Sequence, residues 1–297
     1  QWLNERGGIE ADLTVTRLEE DSFLVVTAAA SAIRDLAWLK RNTPAEARCV
    51  VVDVTSGEAV LSVMGPRSRD LLQSITRADL SNEAFPFATA REIELGAVLA
   101  RAHRITYVGE LGWELYVPSE MARAAFDAVM AAGDSRGLRL CGLNALDSCR
   151  IEKAYRHFGH DVTDEDHVLE AGLGFAVKTE KPRSSFGDFI GREAVLRKRE
   201  RGLSRRLLQF KLRDPEPLLY HNEPIRRDGE IVGRVTSGNY GHFLGGAIGM
   251  GYVNCLQGAS AEELLSASYS IEVAGENFEA DASLKPLYDP KSERPRS

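Results

Sequence analysis

The chain has 297 residues, 43% hydrophobic and 27% charged, and its formal charge is −7. That length holds about two domains, the composition is ordinary for a globular protein, and the acidic balance, with a pI near 5.5, argues against non-specific nucleic-acid binding as the main task. No apolar run approaches the ~20 residues of a membrane-spanning helix, and Cys49, Cys141, Cys149 and Cys255 make no C-x-x-C pair, which points to neither a zinc site nor a disulfide framework and fits a reducing compartment.

The first residue is Gln1, with no basic-then-apolar leader before the apolar pattern that starts at Trp2, so the chain is expected to begin inside a domain. In the block "NERGGIEADLTV" (residues 4–15) a Gly-Gly turn delivers Asp12 into the start of an apolar β run. A carboxylate is costly there unless it finds hydrogen-bond partners. Asp12 is therefore either a catalytic acid or base or a turn acid bonding its own backbone.

Residues 23–27 read as a buried strand. Ser31 then caps a predicted helix with Ile33, Leu36, Trp38 and Leu39 inside, closed before Pro44. Residues 49–54 and 59–63 read as a hairpin across Thr55-Ser56-Gly57-Glu58, and Gly65-Pro66 opens a helix through Leu72. Strands are predicted at 91–94, 98–106 and 113–117, followed by a helix from Ser119 to Gly133 and another over 143–153.

The stretch "TYVGELGWELYVP" (residues 106–118) holds more chemistry than a turn needs. With Tyr107 ending one strand and Glu114 starting the next, an aromatic ring and a carboxylate meet at one end of a hairpin. Such a pair suits a flat heterocycle with two adjacent N–H groups; a solvated hairpin tip is the alternative. The helix with Asp147, Arg150 and Glu152 admits a positioned ion pair or an ordinary i,i+3 surface pair, and we favour the structural one.

His157, His160 and His167 with Asp161, Asp164 and Asp166 look like a metal patch but match no recognised ligand scaffold, so no metal is expected. The glycines from Gly238 to Gly251 never form G-x-G-x-x-G between a strand and a helix, and no P-loop or nucleophile motif is present. The basic run 197–206 would attract phosphate or polyglutamate, or is a solvated helix face.

After Gly191 a charged helix (192–201) precedes short strands at 207–212, 224–226, 230–237, 247–253, 269–273 and 278–284. Turn signals at Asp228-Gly229, Ser237-Gly238 and Gly275-Glu276 separate them, which suggests a small β barrel. The expected class is α+β, with a first domain over 1–201, a barrel domain over 202–288 and a disordered tail over 289–297.

Five separated blocks, "NERGGIEADLTV", "YVGELGWELYVP", "ALDSCRIEKAYRHFGHD", "FIGREAVLRKRERGLSRRLLQFKL" and "VTSGNYGHFLGGAIGMGYV", occur in one order. Together they resemble the tetrahydrofolate-binding region of the aminomethyltransferase family, which includes the glycine cleavage T-protein. The block "DPEPLLYHNEPIRRDGEIVGRVTSGNYGH" looks most like the C-terminal half of dimethylglycine and sarcosine dehydrogenases, flavoproteins whose N-terminal half is a separate oxidase domain. The likeness runs from residue 1 to about residue 288.

The resemblance implies an aminomethyltransferase-type folate domain whose first strands are absent here, tetrahydrofolate as cofactor, and FAD only in a domain outside the chain. Asp12 matches the catalytic aspartate, and Tyr107 and Glu114 match the aromatic and the carboxylate that hold the pterin. Thr14 and Tyr155 match lining positions, while Glu110 is assigned to the turn. The implied reaction converts an iminium or formaldehyde equivalent, from oxidation of an N-methylglycine, into 5,10-methylenetetrahydrofolate.

Implied partners are folate, a methylated-amine-derived substrate and a flavin oxidase domain, in the cytoplasm or, in a eukaryote, the mitochondrial matrix. Ala11, Ala28 and Leu146 stand where the T-protein carries Asp, Asn and Arg, a departure from handling a lipoyl-bound aminomethyl group. The rival readings are a stand-alone aminomethyltransferase and a non-catalytic regulatory module of the same fold.

Overall fold

A computed structural model describes residues 1–181 and 187–297. The first segment carries strands β1 (Trp2–Leu3), β2 (Ile9–Ala11), β3 (Thr14–Arg17) and β4 (Phe23–Val26), then helix α1 (Ala32–Arg41). The middle segment carries β5 (Glu58–Met64), α2 (Ser68–Gln73), β6 (Ala90–Leu95), β7 (Val98–His103), β8 (Gly112–Pro118), α3 (Ala122–Gly133) and α4 (Leu143–Glu152). The last carries α5 (Arg192–Arg201), β9 (Arg205–Leu212), β10 (Pro224–Arg227), β11 (Glu230–Gly241), β12 (Gly246–Asn254), α6 (Ala261–Ser266), β13 (Tyr269–Val273) and β14 (Glu276–Ser283). Among the described residues no helix is long and apolar enough to cross a membrane.

Contacts divide the chain into two compact units, Gln1–Val51 with Ala154–Leu287, and Val52–Lys153 with Tyr288–Ser297. The sequence placed a domain boundary near residue 202; by contacts, residues on both sides of it, 154–201 and 202–287, belong to one compact unit.

In the first unit β9 to β14 close into a six-stranded barrel ordered β10-β11-β12-β9-β14-β13. Leu208, Phe210, Leu212, Ile225, Val235 and Ile271 fill it. Asp228 and Gly229 carry φ of 52° and 90°, the paired left-handed backbone of a two-residue hairpin turn. The hairpin joining β13 to β14 turns on Ala274-Gly275, one residue earlier than predicted. Ser237-Gly238 is no turn at all. It lies inside β11 beside a register shift, and a Cβ on Gly238 would come within 2.5 Å of the Leu219 backbone. Glycine is there for close approach rather than for reversal.

Two short ladders precede the barrel, β1 with β2 and β3 with β4. In α1 the inner face differs from the prediction: Ile33 is 88% exposed and Asp35 is buried. Asp35 accepts from the hydroxyls of Thr27 and Ser31 and from Arg34. The Ser31 hydroxyl is thereby committed to Asp35 and makes no cap bond, although Ser31 occupies the N-cap position.

The second unit is built on a four-stranded antiparallel sheet, ordered β5-β8-β7-β6. Trp113, Leu115 and Val117 of β8 share a core cluster with Leu72 of α2 and Ala125 and Val129 of α3. Alternation along β8 sends Glu114 and Tyr116 to the other face. The predicted hairpin onto β5 does not form, because β5 pairs with β8 and residues 49–54 belong to no strand. Gly57 lies in a short 3-10 turn without positive φ, so the backbone reversal a tight hairpin requires is missing.

β7 ends at His103 rather than at 106, where the Ile105 N–H turns back to the His103 carbonyl at 3.0 Å. Residues 289–297, predicted to be disordered, pack within this unit. The main-chain oxygen of Ser297 accepts from Arg69 and Arg104 at 2.8 Å each, and Arg294–Arg296 form a 3-10 turn. Paired charges give this polar segment its contacts, a signal that composition does not carry.

Candidate functional site

In the first unit, Asp12 occupies the two-residue break between β2 and β3, where the chain leaves one ladder for the next. The antiparallel register pairs Trp2 with Ala11, which brings Gln1 opposite Asp12. Gln1 Nε2 donates to Asp12 Oδ1 at 2.9 Å. Gln1 Oε1 is buried with no partner among the described residues, so an N–H donor reaching Asp12 would find two acceptors. Thr14, which opens β3 opposite Val26, and Asp12 are both half-buried.

The Gly7-Gly8 turn fixes this geometry. A Cβ on Gly8 would lie 2.0 Å from the Asp164 carbonyl oxygen. The turn is bonded to that strip through Val168 N to Gly7 O and Ile9 N to Asp166 O, both 3.1 Å.

Tyr155 follows the exit from α4, where Ala154 carries φ of 54° in the place that glycine normally closes a helix. Tyr155 and Arg156 are half-buried. Arg156 donates to the carbonyls of Ala154 at 2.7 Å and Ala171 at 3.1 Å. Burial pushes its guanidinium below the ordinary value, against the charges of Asp161 and Asp12.

The acid-rich loop after it is structural. Asp161 is fully buried and accepts from the Thr236 hydroxyl at 2.5 Å and from His157 N at 3.0 Å. Asp166 pairs with Arg205 at 2.9 Å. Burial alone would push Glu170 up, but hydrogen bonds from Lys198 and Arg205 hold it below the ordinary carboxylate value. Among the described residues no three or more His, Cys, Asp or Glu side chains converge to hold a metal.

In the second unit, Glu114 is the third residue of β8, directly opposite His103 on β7 and Ser62 on β5. The Tyr116 hydroxyl donates to Glu114 Oε2 at 2.8 Å. Burial and the Glu114 charge push the Tyr116 phenol up, so it stays a donor. Its ring lies against His103, centroids 4.4 Å apart. His103 is 2% exposed and neither ring nitrogen has a partner among the described residues. Burial, then the charge of Arg101, lowers its pKa, so the ring is neutral.

Tyr107 is half-buried in the loop 104–111 and not at a strand end; it shares the loop-to-strand segment with Glu114. Glu110, assigned to the turn, instead accepts from the Tyr288 hydroxyl and lies 3.7 Å from Arg294. Asp147 and Arg150 form the expected ion pair at 2.7 Å, with Arg150 buried.

Sequence reasoning thus missed Tyr116, His103, Gln1 and Arg156. Tyr116 had a signal, since a residue two along a strand from Glu114 shares its face. His103 and Gln1 needed the strand register. Within the second unit the candidate groups are a carboxylate held by a phenol and an aromatic ring in the preceding loop; within the first they are a carboxylate paired with an amide whose own oxygen is unmet among the described residues.

Comparison with known proteins is consistent across the chain. Residues 1–181 match the GCVT N-terminal domain model, and residues 205–289 match the glycine cleavage T-protein C-terminal barrel domain model. The chain is 40% identical over 295 residues to 4-methylaminobutanoate oxidase (formaldehyde-forming) of Paenarthrobacter nicotinovorans, covering 99% of this chain and 34% of that protein. It is 38% identical over 310 residues to human mitochondrial sarcosine dehydrogenase, covering 98% and 33%. The chain therefore spans about a third of the length of these curated relatives. Among solved structures, aminomethyltransferase T of the Bartonella henselae glycine cleavage system superposes with a TM-score of 0.81 at 28% identity, covering 97% of this chain and 74% of that one.

Proposed function

The chain belongs to the aminomethyltransferase family of the glycine cleavage T-protein, and from that membership we propose that it transfers a one-carbon unit to tetrahydrofolate. The carbon source in this reading is an iminium or formaldehyde equivalent, released when a flavin-dependent oxidase domain outside this chain oxidises an N-methylglycine-type amine. The setting is the cytoplasm or, in a eukaryote, the mitochondrial matrix. The observation that carries the reading is Asp12, a half-buried carboxylate at a ladder joint beside an unmet amide acceptor.

Tetrahydrofolate, when bound, supplies the nucleophilic nitrogens that accept the carbon as the 5,10-methylene derivative. Asp12 orients the amine, stabilises the positive charge that develops on it and takes its proton through water. Gln1 holds the Asp12 carboxylate in place at 2.9 Å. Glu114, fixed by Tyr116, accepts the N–H groups of the pterin edge, and Tyr107 flanks the ring. Thr14 and Tyr155 are the remaining lining residues of this reading. Fixing both reactants supplies much of the acceleration, and excluding water protects the iminium.

The test is Asp12→Asn. Folinic acid should bind within about twofold of the unmodified chain, while methylene-folate formation above the uncatalysed rate should fall by about a hundredfold or more. An unchanged rate refutes the catalytic assignment.

A second reading, a stand-alone aminomethyltransferase, is prompted by the likeness to the Bartonella aminomethyltransferase T, with a TM-score of 0.81. It predicts turnover with a lipoyl-bound aminomethyl donor. The three positions at Ala11, Ala28 and Leu146 speak against such turnover.

A further inference from the structure

Glu110 has no part in the proposed chemistry, yet it is tied more firmly than a turn acid needs to be. It sits in the loop 104–111, which begins where the β7 ladder stops. The loop's ends are held by Ala88 N donating to the Arg104 carbonyl at 2.9 Å and Gly65 N to the Leu111 carbonyl at 2.7 Å, and Thr106 Oγ1 accepts from Val108 N at 3.2 Å. Gly109 and Glu110 are met by Lys153 and by the last stretch of the same compact unit, Tyr288–Ser297.

The Tyr288 hydroxyl donates to Glu110 Oε1. Arg294 reaches Glu110 Oε2 at 3.7 Å, with its guanidinium carbon 5.6 Å from the centre of the Tyr288 ring. Tyr288 is itself anchored by its N–H to the Glu152 carbonyl at 3.3 Å. Burial, then the hydrogen bond to Glu110, pushes the Tyr288 phenol up, so it remains a donor.

A second link lies beside the first. Gly109 has φ of 76°, and a Cβ there would come within 2.8 Å of Lys153 Cγ, so the loop backbone rests directly on the lysine stem. The Lys153 side chain is fully buried. Its ammonium donates to the main-chain oxygen of Asp289 at 2.5 Å and to Asp289 Oδ2 at 2.8 Å. A buried ammonium needs such a partner, because removing one member of the pair leaves an uncompensated charge. Asp289 is kept ionised by these bonds despite its own burial.

We propose that the segment 288–297 is a brace for the loop 104–111, with Tyr288, Asp289 and Lys153 as positioning residues acting through Glu110 and Gly109 to present Tyr107 to the pterin. The inference rests on the folate reading for its ligand but not for the brace itself. Two adjacent contact points, at Gly109 and Glu110, restrict the loop just after Val108, so less ordering of Tyr107 is left for the ligand to supply.

The experiment uses the full chain and two mild variants, Tyr288→Phe and Glu110→Gln, each checked for an unchanged thermal midpoint. Without ligand, the amides of 104–111 should exchange hydrogen about tenfold faster in either variant. The Kd for folinic acid should rise about tenfold. In a Tyr107→Ala background, which has no ring to present, Tyr288→Phe should change that Kd less than twofold.

Unchanged loop exchange in both variants overturns the brace. Faster exchange with unchanged affinity, or a loss that adds fully to Tyr107→Ala, overturns its link to Tyr107. An unmodified chain that fails to bind folinic acid refutes the folate reading and this ligand together, while the exchange result still decides whether the segment holds the loop.

Discussion

A carboxylate becomes useful when something other than the ligand decides where it points, and Glu114 meets that condition through Tyr116. The phenol occupies one lone pair of Oε2, and an ionised carboxylate has about four such sites, which leaves room for two pterin N–H groups. Glu114→Gln should weaken folinic acid binding by about 1–3 kcal/mol, the range for a hydrogen bond to a charged group, and Tyr116→Phe by about 1 kcal/mol. Calorimetry on the two variants checks both, and equal affinities would remove Glu114 from the site. Asp12 stood out in the sequence as an acid entering an apolar β run, which is expensive and calls for a reason, and Glu114 as a carboxylate near an aromatic ring at a hairpin end. Their partners were less legible. Tyr116 follows from the two-residue period, but His103 is eleven positions before Glu114 and meets Tyr116 only through the β7–β8 register.

Among the elements, glycines separate turns that are required from turns that are merely permitted. Gly8 faces the Asp164 carbonyl at a distance no Cβ tolerates, whereas nothing lies within 4 Å of a Cβ on Gly57. Gly8→Ala should therefore destabilise the chain by more than about 2 kcal/mol, while Gly57→Ala, at an unstrained φ, should be neutral or stabilising by up to about 1 kcal/mol. Urea unfolding of the pair measures the contrast, and equal midpoints would show that the Gly7-Gly8 turn does not fix Asp12. The Gly-Gly turn was readable because two adjacent glycines before an apolar run leave few alternatives. The reading at 55–58 failed because alternating valines describe a strand without naming its partner: Val50, Val52 and Val54 are 84, 67 and 50% exposed. α6 was overlooked although Ser260 and Glu263 form a capping box, a signal that sequence does carry.

For the molecule as a whole, the buried imidazoles set a pH dependence. His103 in the second unit and His167 in the first are both held below the ordinary 6.5, mainly by burial. Between those lowered native values and the unfolded value, the unfolded chain binds more protons, so stability rises with pH across that window. It is complete above about pH 6.5 and is lost progressively as pH falls from there toward the native values. The thermal midpoint should accordingly drop between pH 7 and 5, and His103→Leu should flatten part of that slope. An identical slope in the variant would mean that His103 is not buried neutral. The barrel strands and the helices other than α6 were legible at this scale because each carries its own period and turn chemistry. The grouping of residues 1–51 with 154–287 was not, since proximity across a hundred residues leaves no local mark.

What the sequence determined by itself is the set of parts: an α+β chain with a terminal barrel, the ordered motif blocks, and the residue types able to hold a flat heterocycle and move a proton. These follow from side-chain chemistry and short-range periodicity, which neighbours in sequence suffice to express. The tertiary structure alone decided which parts meet. It ended β7 at His103, withheld a strand from 49–54, and turned a charged tail into support for the Tyr107 loop. Those outcomes depend on hydrogen-bond register and on the pairing of buried charges, and both are settled between residues far apart in the chain.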